Sequence, residues 1–200
     1  MVSKLLVDKI ESKSGGAITF NNQVNFESQP GQVIECLAGI CDGEEVTVKS
    51  GSYTMPNVTA QQTLSTAYAD ILGSEIAYTP PTGTTRVIYE FINSASWSQA
   101  HAISHWKFFI GGVEVTSARH SISGYYPEHL SNHTWTFRIG GTADAATGRQ
   151  ATWTSPLTIK MQAREYGTSN GMDKVNVSTY WDGTTSAQFM HPQLRITAIG

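Results

Sequence analysis

The sequence predicts an all-β protein, built as an antiparallel β-sandwich or jelly roll. Apolar and polar residues alternate in several short runs, Gly and Pro turn signals separate those runs, and no long stretch repeats apolar residues with helical spacing. Alternation with a period of two places the apolar side chains on one face of a strand. Short alternating runs between frequent turns are typical of sandwiches and jelly rolls.

The most regular alternation lies between residues 84 and 140. The three strong runs are residues 86–92, 105–110 and 133–139. In the third run Trp135, Phe137 and Ile139 alternate with polar residues, so we expect all three on one face. The first run alternates in the same way and places Tyr89 and Phe91 together. We interpret these runs as the inner strands of the sandwich.

Residues 1–30 differ from the rest of the chain, because their apolar residues come in short bursts separated by polar residues and Gly. Isolated short strands are not stable in water, so we interpret residues 1–30 as an arm that pairs with identical arms or lies on another subunit. A partly ordered tail is the alternative. A disordered tail normally lacks large apolar residues. The candidate anchoring residues are Leu5, Leu6, Val7, Ile10, Ile18 and Phe20.

Residues 31–60 are predicted to form a small β connector, and residues 61–200 the jelly-roll-like β-sandwich domain. In the connector, strands at 32–37 and 44–49 enclose the turn pair Asp42-Gly43. Residues 61–66 and 74–79 are predicted as short strands rather than a helix, because Thr63 and Thr66 are poor helix formers. Gly111-Gly112 predicts a tight hairpin.

Further strands are predicted at residues 117–126, 157–164, 174–180 and 194–199. In the last strand Ile196 and Ile199 point to opposite faces, so both faces carry an apolar group near the end of the strand. One wall is then the core and the other a neighbouring subunit, and Ile196 and Ile199 are candidate interface residues. A strand buried on both sides within one chain is the alternative.

The composition restricts the classes of partner. Charged residues make up 14% of the chain, against roughly 25% in an average soluble domain. A net charge of -3 without any run of Lys or Arg gives no reason to expect a nucleic-acid partner. No apolar run approaches the ~20 residues that span a bilayer, and the first residues do not form a signal peptide, so we expect no membrane insertion and folding in a cytoplasm.

Motifs for metal binding or catalysis are weak. His101 and His105 would share a helix face, but on a strand they lie about 13 Å apart and cannot hold one ion. No spaced acid pair, nucleophile elbow or P-loop is recognisable, so we expect no enzyme and no cofactor. Cys36 and Cys41 are expected to be reduced structural thiols. The other histidines of this half are interpreted as polar filler or, alternatively, a surface cluster; they are His120, His129 and His133.

Aromatic residues with neutral polar neighbours can stack on sugar rings, which makes a glycan-binding face conceivable. Trp106 and Trp135 lie in strong strands and are expected in the core. Aromatic residues in loops or at strand ends are the candidate glycan contacts, with a structural role as the alternative for each. They are Trp97, Trp153, Tyr180 and Trp181.

Several phrases resemble a module of bacteriophage virion proteins, particularly those of marine and cyanobacterial viruses. The phrases are Gly31–Cys36, Cys41–Gly43, Ser50–Thr54, Pro56–Ala60, Tyr78–Gly83, Ala102–His105, Ala118–His120, Gln162–Gly167, Tyr180–Gly183 and Ile196–Gly200. The likeness covers most of residues 31–200. Residues 4–10 with 16–20 are also similar to the start of phage fibre and appendage proteins. The family supplies no catalytic residues.

The resemblance implies a homotrimeric virion protein of the tail-fibre, appendage or capsid-decoration type, assembled in the host cytoplasm. Its expected partners are copies of itself, other virion proteins of the capsid, neck or tail, and a host surface glycan. The favoured function is a structural component anchored through its arm. The alternative is a host-receptor lectin domain of a tail fibre, and a glycan-cleaving depolymerase is disfavoured because no acid pair is evident.

Overall fold

The computed structural model describes residues 30–96, 102–124, 128–167, 171–179 and 187–200. Every regular element in those ranges is a β-strand, which confirms the predicted all-β class. The first eight strands are β1 (Val33–Ile40), β2 (Glu45–Val48), β3 (Gly51–Thr54), β4 (Gln62–Thr63), β5 (Ala69–Asp70), β6 (Ile76–Tyr78), β7 (Arg86–Ser96) and β8 (Ala102–Ile110). The others are β9 (Val113–Gly124), β10 (Glu128–Arg138), β11 (Leu157–Glu165), β12 (Lys174–Val175), β13 (Val177–Thr179), β14 (Ala187–Phe189) and β15 (Gln193–Ile199).

The strands form two principal antiparallel sheets. The larger sheet has the order β1-β15-β7-β12-β4, and β10 pairs with the other edge of β7. The smaller sheet has the order β5-β11-β8-β9, and β6 also pairs with β11. Two further pairs, β2 with β3 and β13 with β14, are hydrogen-bonded separately. This arrangement of curled antiparallel sheets is consistent with the predicted sandwich or jelly roll.

The core lies between the inner faces of the two sheets. Along β7 the buried residues Val87, Tyr89 and Phe91 alternate with more exposed neighbours, as the sequence predicts. The Tyr89 ring meets the Phe108 ring of the smaller sheet edge-on, with 5.9 Å between the centroids. Its hydroxyl donates a hydrogen bond to the Ser74 carbonyl (2.6 Å), so this buried phenol keeps a partner.

The predicted hairpin at Gly111-Gly112 is confirmed. The two glycines have φ angles of 56° and 80°, the conformation that a tight two-residue hairpin turn requires at both positions. The strand predicted at residues 117–126 begins earlier than expected, because β9 is continuous from Val113 to Gly124. Its pairing with β8 shifts between Trp106 and Phe108, where β9 bulges.

The strand predicted at 174–180 is divided. Asn176 has a φ angle of 60°, a left-handed conformation that interrupts an extended strand and separates β12 from β13. Its backbone N–H donates to the Ser94 carbonyl at 2.7 Å. The chain therefore leaves the larger sheet at this residue.

The predicted connector supplies an edge of the larger sheet, because β1 pairs with β15 along most of its length. The buried carboxylate of Glu35 ties β1 to two other segments. It accepts hydrogen bonds from the Tyr78 hydroxyl (2.6 Å) and from the backbone N–H of Ser50 (2.7 Å). A buried charge is tolerated when hydrogen bonds satisfy it, so this network fixes β1 on the body of the protein.

The two ends of the described body meet. The Gly31 N–H donates to the Gly200 carbonyl (2.7 Å), and the Gly200 N–H donates to the Gln32 carbonyl (2.9 Å). The predicted arm, residues 1–30, lies outside the described residues apart from Pro30. The arm therefore joins the body beside the last residue of the chain.

Candidate functional site

The candidate site is the outer face of the larger sheet, on the side opposite the core. Four strands present it, because β1, β15, β7 and β10 lie side by side in register. We use the name outer face for the outward residues of these strands. They are Cys36, Ala38, Ile40, Arg86, Ile88, Glu90, Ile92, Asn132, Thr134, Thr136, Arg138, Gln193, Arg195, Thr197 and Ile199.

Part of the outer face is apolar although no other layer of the described chain covers it. Ile88, Ile92 and Ile199 are half-buried by their neighbours in the sheet, and Ile40 is 46% exposed. Val33, which pairs with Ile199 at the edge, is 54% exposed. These residues lie on β1, β15 and β7, so the apolar strip occupies one side of the outer face. Exposed apolar side chains on an uncovered sheet face are typical of an interaction site.

An ion pair in the middle of the outer face is complete within the chain. Both guanidinium nitrogens of Arg195 that face Glu90 donate to its carboxylate, and the distance from Nη2 to Oε1 is 2.7 Å. The two residues are directly opposite on β15 and β7. The hydrogen bonds that Arg195 donates to the Glu90 carboxylate raise the pKa of Arg195. The outer face therefore carries little net charge at its centre.

A depression of about 350 Å³ lies over this region. Its lining combines the apolar side chains of Ala38, Ile40 and Ile92 with the Glu90–Arg195 ion pair. Its apolar walls surround an ion pair that is already complete, so a partner can cover the depression without leaving a charge unpaired. The geometry favours protein contact.

The other side of the outer face is polar and basic. Arg86 on β7 stands directly opposite Arg138 on β10, and both side chains are exposed. Thr134 and Thr136 follow on the same face of β10. Neither arginine has an ion-pair partner among the described residues. This end of the outer face therefore differs from the apolar strip in charge.

Three hydrogen-bonded side chains, which we call the histidine chain, link β9, β10 and β7 on the inner side of the larger sheet. They are His120, His133 and Asn93. His120 Nε2 and His133 Nδ1 are 3.0 Å apart, and His133 Nε2 lies 3.2 Å from the side-chain amide oxygen of Asn93. His120 Nδ1 faces the Ala118 carbonyl at 3.1 Å. This carbonyl can only accept, so His120 Nδ1 carries a hydrogen. His120 Nε2, when it carries none, accepts a hydrogen bond from the N–H at His133 Nδ1.

All members of the histidine chain are uncharged only if the side-chain amide of Asn93 is flipped, so that its oxygen and nitrogen exchange places. His133 Nε2 is then an acceptor, and the NH2 group of Asn93 donates to it. That group is otherwise buried without a partner. Oxygen and nitrogen of an amide are assigned from such networks. Burial beside His120 and His129 lowers the pKa of His133 to about 3, which agrees with a neutral imidazole.

The two cysteines occupy opposite environments. Cys36 is an exposed free thiol on the outer face, and Cys41 is a buried free thiol. Burial, reinforced by Asp42, raises the pKa of Cys41 to about 12. Cys41 is therefore a protonated, inert thiol at neutral pH, whereas Cys36 reports on whether the outer face is accessible.

The predicted site residues fall into separate groups. The arm residues Leu5, Leu6, Val7, Ile10, Ile18 and Phe20 lie outside the described residues. So do three of the predicted glycan contacts, Trp97, Tyr180 and Trp181. Ile199 is half-exposed on the outer face, where an interface with another subunit remains a prediction. Of the predicted glycan contacts only Trp153 lies among the described residues.

Two of the predicted site residues are corrected by their burial. Trp153 is 4% exposed, its indole N–H donates to the Tyr78 carbonyl (3.0 Å), and its ring meets the ring of Phe137 edge-on. A ring enclosed in this way has no face free for a sugar. Ile196 is fully buried, because the alternation of β15 turns it toward the core and leaves Ile199 outside. Both residues are part of the core.

The described residues contain no group of three or more His, Cys, Asp or Glu side chains that could hold a metal ion. His105 is half-exposed and its Nδ1 lies 2.8 Å from the Ser121 hydroxyl, while His101 lies outside the described residues.

In the part of the chain that the structure describes, no helix is long and apolar enough to cross a membrane.

Sequence reasoning missed the Arg86–Arg138 pair and the histidine chain. Both depend on the pairing of β7 with β10, and the strands β8 and β9 lie between them in the sequence. A weak signal existed for His133, because it shares the parity of Trp135 and Phe137 and is therefore expected on the inner face. No comparable signal shows that Arg86 and Arg138 are opposite.

No protein-family model matches the sequence, and no curated protein matches it. Among solved structures, a chain in the structure of infectious bursal disease virus Gx strain is similar over 82% of this chain, with 9% identity and a TM-score of 0.37. This chain spans about a third of the length of that viral chain, 32%. A TM-score of this size is too low to support an argument about fold or function.

Proposed function

We propose that this chain is a non-enzymatic structural protein of a virus particle, which assembles with copies of itself through the apolar strip of the outer face. The observation that carries the proposal is that strip, in which Ile40 on β1 and Ile88 and Ile92 on β7 flank β15 without a covering layer in the described chain. An interaction surface is the usual reason for such exposure.

Burial of the strip favours association. Removing apolar surface from water contributes roughly 25 cal/mol per Å², and a stable interface buries at least about 1,000 Å² in total. A buried charge without a partner would oppose this gain. Here Glu90 is already paired with Arg195, so a partner can cover the middle of the outer face without isolating a charge.

The resemblance of residues 31–200 to virion modules of bacteriophages supports the particle as the location, and it supports a homotrimer as the assembly. In this proposal the arm, residues 1–30, attaches the trimer to other virion proteins of the capsid, neck or tail. Closed symmetric oligomers repeat the same contact at each subunit, so a modest strip is sufficient when it is used several times.

Light scattering after size exclusion tests the assembly. The unaltered chain is expected to elute as a trimer, and Ile92→Lys is expected to elute as a monomer, because the new charge cannot be neutralised inside the contact. Val113→Lys is the matched control, since Val113 is exposed at the β8–β9 hairpin away from the outer face. A monomeric unaltered chain, or the same dissociation in the control, would contradict the proposal.

The reactivity of Cys36 provides a second measurement on the same surface. In the assembled protein the thiol is expected to react slowly with Ellman's reagent, and in Ile92→Lys it is expected to react at the rate of an exposed thiol. Cys41 contributes no signal because it is buried and protonated. Equal rates in the two proteins would show that the outer face is open in the assembly.

A further inference from the structure

Two arginines stand directly opposite each other at the polar end of the outer face. The register of β7 with β10 pairs Arg86 with Arg138, and both side chains are exposed. Directly opposite residues of an antiparallel pair have Cβ atoms about 4.5–5.5 Å apart, and like charges in this position are destabilising. The sequence contains only 13 Lys and Arg residues, and two of them lie where their charges repel each other.

No carboxylate among the described residues neutralises this pair. The nearby acid on the outer face, Glu90, is occupied by Arg195. Arg119 has a carboxylate partner as well, in Glu114. Arg86 and Arg138 have no such partner among the described residues, so their guanidinium groups are available to an external anion.

The arginines border a depression of about 430 Å³. Its lining contains Arg86 and Arg138 together with Thr134, Thr136 and Thr147. Thr147 belongs to the loop after β10, and the Trp135 indole N–H donates to its carbonyl at 3.0 Å. The wall of the depression is therefore held in place by the core-facing side of β10.

We propose that this depression binds an acidic saccharide, with its carboxylate or sulfate group between Arg86 and Arg138. Guanidinium groups bind such anions through two parallel hydrogen bonds, and two facing arginines can take both sides of one anion. The volume falls within the usual range for a small-molecule site. The hydroxyls of Thr134 and Thr147 donate to Asn132 and Asp144, so their oxygens can accept hydrogen bonds from the hydroxyls of a sugar.

A saccharide fits these observations better than a nucleic acid. A phosphate backbone needs a continuous row of Lys and Arg, whereas this surface offers two arginines and the chain has a net charge of -3. The depression extends from β7 to β10, and its Arg86 lies directly opposite Ile199 of the apolar strip. Saccharide binding is a second function that goes beyond the structural role.

Calorimetric titration of the full chain tests the site. The probes are a hyaluronan hexasaccharide, which carries carboxylates, a chondroitin sulfate hexasaccharide, which also carries sulfates, and a neutral dextran oligosaccharide. Both acidic probes are expected to bind and dextran is not. Arg86→Gln and Arg138→Gln are each expected to weaken binding by about tenfold, the loss of one charge-assisted contact. The two acidic probes together show which anion is preferred.

Arg119→Gln is the control, because it removes an exposed arginine of the smaller sheet and should leave binding unchanged. Unaltered binding in the Arg86→Gln, Arg138→Gln double variant would overturn the proposal, and so would a failure of both acidic probes to bind. If the double variant instead fails to assemble while neither probe binds, the arginines contact a carboxylate of another protein subunit. That outcome also overturns the saccharide site.

Discussion

His133 shows how one buried side chain makes stability depend on pH. In the folded protein burial lowers its pKa to about 3, while an unfolded histidine has a pKa of 6.5. Between these values the unfolded chain binds a proton that the folded chain does not bind. Acidification below pH 6.5 therefore favours unfolding, and the stabilising contribution is fully present only above that pH.

We expect the free energy of unfolding to fall by about 2 kcal/mol between pH 7 and pH 5, from a loss of about 1.4 kcal/mol per pH unit below 6.5. Urea unfolding at the two pH values measures this difference. His133→Asn should remove most of the dependence, and His191→Asn, which changes an exposed histidine, should keep it. An equal pH dependence in both variants would show that other groups are responsible.

The buried residues could be predicted from the sequence where alternation is strict. Phe137 and Tyr89 lie in the core as expected, and Trp135 packs against it. Trp153 could not be placed in this way, because it follows a loop of small residues and its partner Tyr78 is distant in the sequence. The Arg86–Arg138 pair was equally hidden, because only the three-dimensional register makes two separate arginines neighbours.

At the level of elements, the loop between β5 and β6 depends on a glycine at a close approach. Gly73 has a φ angle of 92°, and a Cβ atom there would lie 2.7 Å from Cγ of Pro192 and 3.0 Å from Cγ2 of Val58. The backbone conformation and the lack of space both exclude other side chains. This contact packs the loop against the segment that leads into β15.

Gly73→Ala is expected to lower the free energy of unfolding by about 2–4 kcal/mol, because left-handed strain and overpacking add. Gly112→Ala separates the two causes. Gly112 has a φ angle of 80° but nothing within 4 Å of the added carbon, so its cost should be only about 1–2 kcal/mol. Urea unfolding of both variants tests this order, and equal losses would mean that the close approach at Gly73 is unimportant.

Strand existence was easier to predict than strand pairing. The hairpin at Gly111-Gly112 joins sequence neighbours, so its turn chemistry was sufficient. The pairs β1 with β15 and β7 with β10 join distant segments, and their register follows from core packing rather than from a local signal. The division at Asn176 also escaped prediction, because a single left-handed residue leaves no periodic pattern.

For the whole molecule, the described residues form a core and pair into two sheets among themselves. Removal of residues 1–29 is therefore expected to leave the midpoint of urea unfolding unchanged under conditions where the protein is monomeric. In the proposed role the same truncation should abolish incorporation into particles. A large loss of stability would show that the arm completes the fold, and normal incorporation would refute anchoring.

The meeting of Gly31 with Gly200 has a practical consequence. A fluorescent domain or affinity peptide fused after residue 200 would emerge at the root of the arm and crowd any attachment made there. The same closeness suits circular permutation, since a short linker could join the two ends and the polypeptide could be opened at an exposed hairpin such as Gly111-Gly112. In such a permuted chain residues 31 and 200 would lie in the interior of the sequence, and both sheets would keep their strands.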